Sequence, residues 1–123
     1  MILLFLLICG HAIADFSLQS EYMALGKNKW LPIPGTPWYW PMTANCLIHG
    51  FIVFSAITFF LTITTLLPLY SCSIIGLIFG VFEFSLHYVI DCIKCKKLIN
   101  YDIDQILHIV CKIIYAIIIL LII

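Results

Sequence analysis

The chain has 123 residues, of which 64% are hydrophobic and 10% charged, with a formal net charge of zero and a mean hydropathy of +1.18. Soluble globular chains carry about 45–50% apolar and about 25% charged residues, so a chain this short and apolar cannot cover its own surface with polar groups. Composition therefore points to a single integral membrane domain in a lipid bilayer, and with a formal net charge of zero nothing suggests nucleic acid as a partner.

In chain order, residues 1–20 read as a first membrane span. No basic residue precedes the apolar run and no small-x-small cleavage pattern follows it, so the segment is expected to be a retained helix rather than a signal peptide. His11 and Asp15 lie four apart on one face of it. Residues 21–41 read as a loop, broken by Pro32, Pro34, Gly35, Pro37 and Pro41. Trp30, Trp38, Tyr39 and Trp40 cluster there, as aromatic side chains do at headgroup depth.

Residues 43–67 read as the second span, with Asn45 and His49 again four apart. Thr58, Thr62, Thr64 and Thr65 are expected to bond back to their own helix. Pro68 marks a turn without charge. Residues 69–97 form the third span. Gly76 and Gly80 there allow close helix contact, read as packing within the bundle rather than dimerisation.

The same span carries Glu83, His87 and Asp91 at steps of four, then Lys94 three later, on one narrow stripe. After a turn, residues 102–123 form the fourth span. Asp102 is its expected N-cap or first-turn acid, and Asp104, His108 and Lys112 make another four-step stripe beside Gln105. Among the six cysteines, Cys9, Cys46 and Cys111 lie in or near apolar spans, and the lone Cys92-x-x-Cys95 reads as structural.

The fold class expected is all-α, a four-helix transmembrane bundle. Lys27, Lys29, Lys96 and Lys97 fall in or beside the first and third loops and none falls in the second. The positive-inside rule puts those loops in the cytoplasm and both termini on the other side. At about 1.5 Å rise per residue, His11, His49, His87 and His108 then share one layer ~9–15 Å in from the cytoplasmic face. A carboxylate facing lipid at a helix centre costs about 2.5–3.5 kcal/mol, so Asp15, Glu83, Asp91 and Asp104 are expected to face inward. Such a layer suits a divalent metal, Zn²⁺, Mn²⁺ or iron, with room for two ions. Its expected ligands are His11, Asp15, His49, His87, Asp91, Asp104 and His108.

These motifs resemble a known family. His11-x-x-x-Asp15-Phe16-x-Leu18-Gln19, Asn45-x-x-x-His49, His87-x-x-x-Asp91-x-x-Lys94 and Asp104-Gln105-x-Leu107-His108, with Lys27, are similar to the domain-of-unknown-function 3307 family of small bacterial and phage membrane proteins. That resemblance implies the architecture and the polar site but no activity. A looser likeness, the H-x-x-x-D on a transmembrane helix, runs to inner-membrane metal-dependent hydrolases.

Two functions follow as expectations. One is a metal-dependent hydrolase acting on a lipid or lipid-linked substrate at the bacterial inner membrane, or a host membrane if phage-encoded. Glu83 would serve as its base and Lys94 would stabilise a developing anion. The other is a non-catalytic protein, including a phage accessory protein with a membrane protein partner, whose polar cluster or structural metal fixes the bundle. A proton pathway fits less well, because the outer halves of the spans offer no polar steps.

Overall fold

The structure is a computed structural model describing residues 1–123, with five helices and no strands. Helix α1 spans Ile2–Ala12 and runs on as a π-helical turn, Ile13–Leu18. Helix α2 is Glu21–Gly26, α3 is Tyr39–Thr64, α4 is Leu69–Cys95 and α5 is Tyr101–Ile122. Three of these, α3, α4 and α5, are long and apolar enough to cross a membrane, whereas the apolar helix Ile2–Leu18 is shorter. At 1.5 Å per residue, α3 and α4 are about 40 Å long and α5 about 33 Å, against about 30 Å of bilayer hydrocarbon.

The segment read as a loop is partly helical. Ser20 caps α2 by accepting from the Met23 amide at 3.2 Å. Helix α3 starts at Tyr39, which puts Pro41 in its first turn, where a missing N–H breaks no helical bond. Asn100, not Asp102, is the cap of α5, accepting from the Ile103 amide at 2.9 Å, and Asp102 is a first-turn acid. Thr62, Thr64 and Thr65 donate to the carbonyls four residues back at 2.7–2.8 Å, as expected.

The distribution of polarity is inverted relative to a soluble domain. Phe51, Leu77, Val81, Ile106 and Ile117 are exposed, while His49, Glu83, Asp91, Asp104 and Lys112 are each only 1% exposed. The interior divides along the helix axes. Toward one end Leu3, Leu7, Val53, Ile57, Leu61, Tyr115 and Ile119 form an apolar core. Toward the other lie all four histidines, the buried carboxyl groups of Glu83, Asp91 and Asp104, and the half-buried Asp15.

Helices α3 and α4 cross backbone to backbone. A Cβ on Gly50 would stand 2.8 Å from the Gly80 carbonyl oxygen, and one on Gly80 would stand 2.8 Å from that of Gly50. Gly76 packs equally tightly against the Thr58 side chain and the Phe54 carbonyl. The G-x-x-x-G thus serves contact between two helices of one chain. Gly80→Val should cost about 1–3 kcal/mol through overpacking. A thermal melt in detergent should show a lowered midpoint, with exposed Leu77→Val as the unaffected reference; equal midpoints would refute the contact.

Candidate functional site

The four histidines come from α1, α3, α4 and α5, and their rings form one continuous group. The His49 and His87 centroids are 3.8 Å apart and those of His87 and His108 are 4.1 Å apart, both pairs stacked. His11 stands 5.2 Å from both His49 and His108. Every site residue read from the sequence on these stripes, His11, Asp15, His49, Glu83, His87, Asp91, Lys94, Asp104 and His108, enters one polar network with them.

The partners inside that network differ from a simple four-step pairing. Asn45 does not serve His49. Its Nδ2 donates to Asp91 Oδ2 at 3.0 Å and lies 3.0 Å from His87 Nε2, while its Oδ1 accepts from Gln19 at 2.8 Å. His49 Nε2 instead meets Asp15 Oδ1 of α1 at 3.0 Å. Within helices, His87 lies 3.5 Å from Glu83 and 3.4 Å from Asp91, and His108 lies 3.6 Å from Asp104. The stripes orient imidazoles within a helix, and the short bonds run between helices.

Three carboxylates are held by lysines. Lys112 Nζ donates to Glu83 Oε1 at 2.6 Å, Lys27 to Asp91 Oδ2 at 2.7 Å, and Lys94 to Asp104 Oδ2 at 2.6 Å. None of these pairs was read from the sequence, and Lys94, expected to stabilise an anion, instead holds Asp104. Lys112 was visible as the next step of the Asp104–His108 stripe, but its partner Glu83 lies on another helix. Lys27 sits just past the end of α2 with no periodicity to place it. The role expected of Glu83 and Lys94 must accommodate these partners, because each is half of an ion pair.

Asp15 is the exception. No lysine reaches it; its neighbours are His49, His11 at 3.5 Å and Gln105, whose Nε2 donates to Oδ2 at 2.9 Å. It stands on the π-helical turn, closed by the Gln19 amide donating to the Ala14 carbonyl at 3.0 Å. Its side chain is 11% exposed, the most open of the four carboxylates.

His11, Asp15 and His49 can each offer one ligand atom within 4.8 Å of the others, as can His49, Glu83 and His87, and His87, Asp91 and His108. Tetrahedral bonds of about 2.0–2.1 Å put donor atoms about 3.3 Å apart. Asp15 Oδ1 lies 3.0 Å from His49 Nε2, close to that value, and its other oxygen, Oδ2, lies 3.5 Å from His11 Nε2. The donor set of the first group therefore fits a divalent cation. In the other two groups the carboxylate already faces an ammonium group, which repels one.

Fold and interior together define a class: an all-helical chain with membrane-length helices around a buried layer of imidazoles and carboxylates. The chain belongs to the family described as "Protein of unknown function (DUF3307)", matched over residues 3–123, essentially its whole length. No curated protein and no solved structure matches it.

The ion pairs make a direct prediction. Lys112→Met should cost about 3–5 kcal/mol by leaving Glu83 charged and unpaired in the interior. Adding Glu83→Gln should recover much of that loss. Both can be read from thermal or denaturant unfolding in detergent, and a double variant no better than the single would refute the pairing.

Proposed function

We infer that this is an integral membrane protein whose helices α1, α3, α4 and α5 form a four-helix bundle around one divalent-metal site. The lysine-bearing loops face the cytoplasm and both termini lie opposite, in line with the positive-inside rule. His11, Asp15 and His49 are the ligands. His87 and His108 stack behind them, and Asp91 and Asp104 position those rings with their lysines. This narrows a seven-ligand, two-ion site to a three-ligand, one-ion site that leaves a coordination position for substrate.

The observation carrying the reading is the charge layout. Four carboxylates meet three buried or half-buried lysines, and the one left over, Asp15, is the one flanked by two imidazoles at ligand spacing. A metal there would act as a Lewis acid on a bound phosphoryl or carbonyl group. Lys94, 28% exposed beside Asp104, stands where an anion formed nearby would meet a cation. Gln105, whose Nε2 donates to Asp15 Oδ2 at 2.9 Å, fixes the orientation of that carboxylate. The activity this supports is metal-dependent hydrolysis of a lipid or lipid-linked substrate.

A non-catalytic reading rests on the same ion pairs. Lys112–Glu83 and Lys94–Asp104 tie α5 to α4, and Lys27–Asp91 ties the end of α2 to α4, all without a metal. Metal quantification on detergent-purified protein separates the two readings. The expected result is about one divalent ion per chain in the wild type and none in Asp15→Asn, the isosteric loss of the ligand charge. Asp91→Asn should keep the ion and lose stability. A metal-free wild type would leave the network purely structural, and full retention in Asp15→Asn would overturn the assignment of Asp15 as a ligand.

A further inference from the structure

Beside the polar layer opens a cleft of about 640 Å³ between the α2–α3 connection and the α4–α5 turn. Gln19, Lys27, Asn28, Lys94, Lys97 and Tyr101 supply its polar lining, and no acidic residue lines it. Three of these side chains also reach the histidine layer. Lys27 holds Asp91, Lys94 holds Asp104, and Gln19 donates to Asn45, which contacts His87. The floor of the cleft is therefore one side chain away from the imidazoles. Its remaining wall includes Ala24, Leu25, Leu31, Pro32, Ile33 and Pro34, an apolar strip on the same opening.

Lys97 is the unusual member. It is exposed, and none of the layer's carboxylates pairs with it. Its backbone is left-handed, with φ of 60°, and it is the only non-glycine residue with positive φ. The cause is the end of α4, where the Leu98 amide reaches back to the Ile93 carbonyl at 3.2 Å and the Lys97 amide to that of Lys94 at 2.8 Å. Glycine is the residue that fills this position without strain. A lysine there gives up backbone stability and places an ammonium group at the cleft. Trp30, whose ring stands 5.2 Å from Lys96 Nζ, and Tyr101, 4.9 Å from Lys94 Nζ, flank the same turn. Such amphipathic rings sit at headgroup level.

We propose that this cleft binds the phosphate of a lipid headgroup, with Lys97 as the free cation, Lys94 and Lys27 contributing N–H groups not used by their carboxylates, and the apolar strip receiving the glycerol end. As a substrate subsite it rests on the metal reading; as a binding site it stands without metal. A phosphate here lies beside the ion pairs of Asp91 and Asp104, so a lipid anchored by its headgroup presents its ester bonds to the layer containing Asp15.

The test is native mass spectrometry of the chelator-stripped protein in detergent, titrated with short-chain phosphatidic acid. Diacylglycerol of the same chains and inorganic phosphate are the comparison ligands. The wild type should bind phosphatidic acid and not diacylglycerol. Lys97→Gly relieves the left-handed strain, so the fold and thermal midpoint should be kept or improved, while affinity falls about tenfold or more with the loss of one charge-assisted contact. Lys96→Ala, one residue away and outside the cleft, should bind as the wild type does. Equal losses in both variants, an unchanged Lys97→Gly, or diacylglycerol binding as well would overturn the proposal. Displacement by equimolar inorganic phosphate would assign the site to a free anion and overturn the lipid. Asp15→Asn should keep headgroup affinity while losing metal, so either reading can fail with the other intact.

Discussion

Charge compensation in a place without water governs this molecule. Four carboxylates lie inside an apolar assembly where an unpaired ion is costly. Three are answered by lysines drawn from different parts of the chain, one after α2, one at the end of α4 and one mid-way along α5. Each of those lysines joins a carboxylate to which a histidine is also attached. The pairs therefore set the relative heights of α4 and α5 and draw the end of α2 against α4. They also hold His87 of α4 and His108 of α5 in register with each other. Apolar packing at the other end of the helices supplies contact area but little register, since Leu, Ile and Val faces can slide by small amounts.

The leftover carboxylate gives the layer its asymmetry. Asp15 is attached to α1 through a π-helical turn, wider than an α-helix and closed by i→i+5 bonds, a feature frequent at functional sites. Its neighbours are neutral or weakly basic groups rather than ammonium groups. The layer thus has a tightly neutralised side, built from α4 and α5, and a side with excess negative charge, built from α1 and α3. A cation added to the layer has one favourable destination. The ion pairs opposite act as the scaffold that keeps the imidazoles from turning away from it.

Much of this was legible in the sequence, for reasons that can be named. Helical periodicity put Glu83, His87 and Asp91 on one stripe and Asp104, His108 and Lys112 on another. The cost of exposing such stripes to lipid required them to face inward. Periodicity says nothing, however, about which stripe meets which. Asn45 and His49 are four apart yet serve different helices, one bonding His87 and the other Asp15. Lys27 lies outside any periodic segment, so its bond to Asp91 could not be derived from spacing. The π turn was equally hidden, because a local change of pitch leaves no mark in a run such as Ile13-Ala14-Asp15-Phe16. The helix at Glu21–Gly26 was obscured by the prolines that follow it, although Ser20 and Glu21 are fair start signals.

The meeting of Gly50 and Gly80 main chains has a consequence for helices long and apolar enough to cross a membrane. Bilayers differ in thickness, and long helices answer by tilting. Where two backbones touch directly there is no intervening side chain to compress or rotate, so α3 and α4 must lean as one body. His49 adjoins Gly50 in the chain, and His87 follows Gly80 by two turns of α4. The spacing of that stacked ring pair is inherited from the main-chain contact, so in a bilayer the central imidazoles would be insulated from changes in its thickness.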